Sequence, residues 1–326
     1  MRLFSNRSLR FGHLLCFLLS LTLSQQLLVG NAQAVPPIVL HQKTPKRAAD
    51  GFEAAVKLAN LNDSAINESS GVVASRSTPG LYWTHNDSGD GPFIYAFDVR
   101  GARRGVWRVA GASATDWEDI AAGPGPRRNV PYLYIGDIGD NEARRKEITV
   151  YRIQEPRITA ADAASSKSKP RVTEAAETFR LRYPDGSHDA EALLVHPVTG
   201  AIYLITKVPF ANAAIYEAAA PLSTSGSNTL KRIGDLSVPS LLGGIITGGD
   251  ISPDGRRVAL CDYLQGYEIV LGDQRADFNT IWKRPSKAFD LGQRRQGEAI
   301  GYRLDGRALL ATSEGVPTPL IQVVRR

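Results

Sequence analysis

Three features of the sequence predict an all-β chain, a β-propeller of four-stranded antiparallel blades. Its apolar runs are short and rich in Val, Ile, Tyr and Phe. Gly, Pro and Asp turns separate them, and one pattern of strand, turn and strand recurs along the chain. No stretch past residue 34 keeps a helical period, and "AADAASSKSKP" reads as a loop.

The repeat is found by aligning "INESSGVVAS", "DWEDIAAGPG", "DAEALLVHPVTG", "GGDISPDG" and "GEAIGYRLDG". Glu68, Glu118, Glu191 and Glu298 each stand just before an apolar run, and the fifth copy has Gly249 followed by Asp250. A turn follows, then a second strand ("LYWTH", "YLYIGD", "AIYLITK", "RRVALCDY", "RALLATSE") and a third ("FIYAFDV", "EITVYRI", "AIYEAA", "YEIVLG", "LIQVVRR"). Fourth strands read as "GVWRVAG", "TFRLRYP", "LKRIGDL" and "TIWKRP". The last unit ends after its third strand, so "FEAAVKLANL" near the start is expected to complete it and close the ring. Five repeats are visible. A sixth, degenerate blade in the 119–190 or 222–248 insertions is left open.

The first 34 residues read as a signal peptide. Arg2, Arg7 and Arg10 precede the short apolar run "LLCFLLSLTLS", and Ala32 and Ala34 make a cleavage site. Residues 35–50 form an N-terminal linker and 51–326 a single propeller domain. Export to the periplasm or medium follows, with no stable membrane insertion after cleavage. Loss of three arginines lowers the formal charge from +6 to +3, too little to argue for nucleic acid. Cys16 goes too, leaving Cys261 without an internal disulfide partner and expected to be buried in its strand.

First strands of a propeller line its channel, so the glutamates should ring one mouth. The second strands end there as well, in His85, Asn86 and Asp87, in Asp137, Asp140 and Asn141, and in Lys207, Asp262 and Glu314. Carboxylates gathered in a narrow channel repel one another, and a hard divalent cation with oxygen ligands would compensate. Calcium is the expected cofactor. Its candidate ligands are Glu68, Asp87, Glu118, Asp119, Asp137, Asp140, Asn141 and Asp250. Equally, Asp and Asn cap turns and pair with arginines, so the same residues are open to a structural role.

Asn86, Lys207, Trp117, Glu191 and Glu298 are candidate ligand-binding residues. Trp117 is either a packing wedge or a ligand platform, and Lys207 a counter-charge to Glu191. His85 is the candidate general base, since its ordinary pKa suits proton transfer near neutrality. His188 is a similar but thinner case, and His196 in "HPVTG" reads as structural. The Asp-Gly pairs at 254–255 and 305–306 are hairpin turns. Serine-nucleophile, phosphate-loop and zinc spacings are absent from the sequence.

Taken together, "WTHNDSG", "DWEDIA", "YIGDIGDN", "DAEAL" and "TGGDISPDG" resemble secreted bacterial TolB-like propellers, including SdiA-regulated and phytase-like families. The resemblance spans roughly residues 55–325. More distantly, Glu68 opens its blade as the metal-binding glutamate does in calcium-dependent lactonases and phosphotriesterases. The other blades depart from that pattern, offering Glu in place of Asn, with Gly249 interrupting the ring.

Two functions are consistent with the sequence. One is an exported binding module for a small molecule or peptide, with a cation-stabilised channel mouth. The other is a calcium-dependent hydrolase of a lactone, ester or phosphoester, in which the metal polarises the electrophile and His85 or an axial carboxylate activates water.

Overall fold

The computed structural model describes residues 51–61, 63–273 and 276–326. The signal peptide and linker expected over 1–50 lie outside the described residues. Five antiparallel sheets stand in a ring, a five-bladed β-propeller. Blade 1 comprises Ser69–Ala74, Leu81–Asn86, Phe93–Asp98 and Arg103–Ala110. Blade 2 comprises Trp117–Gly123, Tyr132–Asp137, Ile148–Gln154 and Glu177–Arg182. Blade 3 comprises Ala190–Val195, Ile202–Thr206, Ala213–Ala218 and Lys231–Leu236. Blade 4 comprises Gly248–Ile251, Arg257–Cys261, Gln265–Val270 and Ser286–Asp290.

Blade 5 takes Gly297–Tyr302, Ala308–Ser313 and Thr318–Val324 from the end of the chain and Val56–Leu61 from its start. That N-terminal strand pairs antiparallel with Thr318–Val324 and closes the ring, as the missing fourth strand requires.

The sixth blade does not form. Residues 171–175 instead add a parallel strand outside Arg103–Ala110, and 227–229 do the same outside Glu177–Arg182. The fourth strand of blade 4 also differs from the sequence reading. "TIWKRP" falls mostly in a 3₁₀ turn, Phe278–Lys283, opened by Asp277, whose side chain accepts the Asn279 amide. Its place in the sheet goes to Ser286–Asp290, which follows Pro285. In "AADAASSKSKP" the loop contains one short 3₁₀ segment, Ala160–Ala164.

Blades pack face to face, so their inner and second strands are buried on both sides. Trp117–Gly123 and Tyr132–Asp137 are buried at every position, whereas the outer strand Glu177–Arg182 alternates buried and exposed residues toward its end. One apolar cluster fills each of the five blade interfaces. Each large side chain buried there contributes about 1.5–3 kcal/mol of transfer free energy. A ring of only five inner strands is tight. A Cβ on Gly248 would lie 2.4 Å from the Glu298 carbonyl oxygen, and one on Gly301 would lie 2.3 Å from that of Val72. Glycine is the residue that lets neighbouring inner strands approach so closely.

Cys261 is fully buried, and burial pushes its thiol up to about 11. Among the described residues no helix is long and apolar enough to cross a membrane.

Candidate metal centre at the channel mouth

The mouth is built from the start of each inner strand and the end of each second strand. In four blades the pairing of these strands skips one residue, a β-bulge: Ser70, Glu118, Glu191 and Glu298 in blades 1, 2, 3 and 5. A bulge re-aims the side chain it carries. In blade 4 the ladder runs without a break from Gly248↔Cys261 to Gly249↔Leu260, so the bulged residue is missing there.

This corrects the sequence alignment. Glu68 is not the counterpart of Glu118; Ser70 is, and its Oγ donates to the Glu118 carbonyl at 2.6 Å. Glu68 belongs with Asp116, Asp189 and Gln296, whose carbonyls accept the amides that follow the second strands. These contacts are Asp87 to Glu68 (2.9 Å), Ile138 to Asp116 (3.1 Å), Lys207 to Asp189 (3.0 Å) and Glu314 to Gln296 (3.0 Å).

Three tiers of side chains therefore ring the mouth, and carboxylates dominate them. Oxygens of Asp87, Asp116 and Glu118 lie within 4.8 Å of one another, and so do those of Asp87, Glu298 and Glu314. Asp87 belongs to both groups. Glu191 belongs to neither group, but its charge acts on Glu118 and on Glu298 alike. One of its oxygens pairs with Lys207, while Oε2 is buried without a hydrogen-bond partner. The Lys207 ammonium also lies 5.5 Å from the centre of the Tyr263 ring.

Burial combined with crowding governs the ionisation of this cluster. Burial, then Glu191, Asp87 and Asp116, push the Glu118 carboxyl well above its usual range. Burial, then Glu191 and Glu314, do the same to Glu298. Burial raises Glu314, with Asp87 and Glu68 adding to it. Glu191 is pushed up to about 8 by burial, even with Lys207 opposing. Asp116 rises to about 6 through burial and the charges of Asp87 and Asp189, against Arg145. Burial disfavours the Lys207 ammonium, but Glu191 and Tyr263 outweigh it and hold Lys207 above its ordinary value.

Several other predicted site residues are placed elsewhere. Asp119 turns into the channel, where its carboxylate accepts amides from Ile120 (2.8 Å), Leu193 (3.0 Å) and Gly249 (3.2 Å). Asp137 accepts the amides of Thr115 and Asp116 and pairs with Arg145 at 2.8 Å. Asp140 accepts the Arg145 amide at 2.7 Å, and Asn141 beside it is exposed. Asp250 lies further down the channel, where it accepts the Tyr302 amide at 2.8 Å and faces Arg76; burial pushes it up to about 7.

Trp117 is 1% exposed, with its Nε1 donating to the Ser113 carbonyl and its rings packed near His85 and Tyr151. It is the packing wedge, not a platform. Asn86 clamps the loop before blade 1, accepting from the Glu68 amide and donating to the Ala65 carbonyl. His85 is fully buried beneath Trp117, and burial lowers its imidazole to about 4. It joins neither carboxylate group.

The structure thus brings together Asp87, Glu118, Glu191, Glu298 and Lys207, with Glu68 bridged to Glu314 at the rim. Asp116 and Glu314, absent from the ligands expected from the sequence, belong to the two carboxylate groups, and Asp189 adds its charge beside Asp116 and Glu118. The signal was present in "DWE" and "DAE", where acids two residues apart flank the position that opens the strand.

All donors in the two groups are carboxylate oxygens, with neither histidine nor cysteine, a set that suits a hard divalent cation. Fold and site together define a five-bladed β-propeller with a carboxylate-lined channel mouth able to hold a metal ion. No protein-family model and no curated protein matches the sequence.

Proposed function

We propose that this chain is an exported β-propeller whose acidic mouth binds calcium and, with it, a small-molecule or peptide ligand. The observation that carries this reading is the pair of carboxylate groups sharing Asp87, with the unpartnered Glu191 oxygen buried beside them. Like charges so placed hold one another protonated unless a cation neutralises them. Calcium takes six to eight oxygens in flexible geometry, which suits ligands drawn from several blades. Export is supported by the basic, apolar and small-residue order of residues 1–34, and the resemblance to TolB-like secreted propellers agrees with it. Binding is favoured over hydrolysis because His85, the candidate base, is buried away from the carboxylate groups.

The test is thermal unfolding in EDTA and in millimolar calcium, for the wild type and for Glu118→Gln/Glu298→Gln. A ligand at a hundredfold excess over its Kd stabilises the native state by about 2.7 kcal/mol. Calcium should raise the wild-type midpoint and leave that of the variant unmoved. Equal midpoints with and without calcium in the wild type would overturn the metal reading.

A further inference from the structure

The opposite face of the ring carries a second concavity of reversed charge. It lies where the third strands of blades 4 and 5 end, at Val270 and Val324, away from the acidic mouth. A cavity of about 510 Å³ opens there, lined by Phe52, Glu268, Arg284, Lys287, Arg325 and Arg326 among others. That volume falls in the range of small-molecule sites.

Four cations face one acid in this lining, and the acid is already engaged. Glu268 is 3% exposed, receives Arg325 at 2.9 Å and accepts the Tyr302 hydroxyl at 3.0 Å. Among the described residues no carboxylate pairs with Arg284, Lys287 or Arg326. Arg284 reaches across the neighbouring loop. Its guanidinium lies over Gly272, where a Cβ would meet Nη2 at 1.9 Å.

An excess of cations over carboxylates among the described residues of a concave site calls for an anion, and planar guanidinium groups match phosphate oxygens through paired N–H donors. Three cations around one cavity, none with a carboxylate partner among the described residues, suit a diphosphate better than a single carboxylate. Phe52, stacked on Phe289 at 4.3 Å, packs beneath the cavity floor. We infer that this cavity is a binding site for a soluble diphosphate compound, independent of the acidic mouth.

The test is calorimetric titration of the full chain with inorganic pyrophosphate and with orthophosphate, in EDTA so that no cation at the mouth contributes. Pyrophosphate should bind saturably and more tightly than orthophosphate, and weaken with added salt. Arg284→Ala/Lys287→Ala, two exposed positions, should weaken it roughly tenfold or more while leaving the unfolding midpoint unchanged. Co-sedimentation with phosphatidylglycerol and phosphatidylcholine vesicles separates the sources. Vesicle binding without pyrophosphate binding would overturn the soluble-ligand assignment. Absence of saturable pyrophosphate binding, or binding equal in wild type and variant, would overturn the site.

Discussion

Asp119 and Gly249 stand two blades apart, yet Oδ2 of the aspartate accepts the glycine amide at 3.2 Å. The same carboxylate accepts the Leu193 amide at 3.0 Å, so one side chain ties together the inner strands of blades 2, 3 and 4. Blade 3 with its bulge and blade 4 without one both meet the carboxylate through a backbone amide. Asp119→Ala would leave buried amides without an acceptor, at about 1–3 kcal/mol for each such group. Urea denaturation should register a loss of several kcal/mol, and Asp119→Asn, which keeps one oxygen, a smaller one. Calcium affinity should survive in Asp119→Asn. Loss of calcium binding there would move the metal site deeper into the channel.

The raised carboxyls set opposite pH trends for the protein with and without a cation. A carboxyl whose folded pKa is raised keeps a proton that the unfolded chain has released, so its stabilising effect is full below about pH 4. That effect is lost as pH rises through the folded values, about 6 at Asp116 and about 8 at Glu191. In EDTA the unfolding midpoint should therefore fall as pH rises from about 4 to about 8. A cation must displace the same protons, so calcium affinity should increase over that range with proton release. Calorimetry in two buffers of different ionisation enthalpy measures the protons. A pH-independent affinity without proton release would mean that the cation sits away from these groups.

Lys207 is a cation built into the mouth, and its pairing with Glu191 lowers that carboxyl against burial. Lys207→Met should raise Glu191 further and destabilise the protein most above pH 8, where the carboxylate would be buried without its partner. In alkaline solution the variant should bind calcium more tightly by roughly tenfold, about 1.4 kcal/mol, since a nearby unit charge has been removed. Titration at pH 9 measures this, and an unchanged affinity would place the cation outside the reach of Lys207.

The blades were legible because strand length, β-branched composition and Asp-Gly turns are local signals, and "FEAAVKLANL" had no other sheet to join. The bulge was not. Hydropathy carries no mark of a residue skipped by the ladder, so Glu68 aligned with Glu118 when its true neighbour in register is Asp116. The fate of each acid was equally hidden. Asp137 and Asp87 both follow or end a second strand, yet Asp137 is taken up by Arg145 and the amides of Thr115 and Asp116, whereas Asp87 joins both carboxylate groups. The sequence held no cue for those contacts. In blade 4, "TIWKRP" has strand composition, but Asp277 caps a turn there and Pro285 delays the strand to "SKAFD".

Closure of the ring rests on one non-covalent seam. Val56–Leu61 pairs with Thr318–Val324, Leu61 is fully buried at one end, and Phe52 stacks on Phe289 beyond the other. Without the N-terminal strand, Thr318–Val324 becomes an open edge with unpaired backbone groups, a template for aggregation. Leu61→Ala should cost about 2–5 kcal/mol and Phe52→Ala about 3–5 kcal/mol, as large-to-small changes in a packed core do. Lying at opposite ends of the strand with separate partners, the two losses should add within about 0.5 kcal/mol. Urea titration of the single and double variants measures both values. Costs below about 1 kcal/mol would show that the other four blade interfaces hold the ring shut by themselves. Deletion of residues 51–61 should then leave a monomeric, cooperatively folding protein; if the seam closes the ring, the same deletion should aggregate.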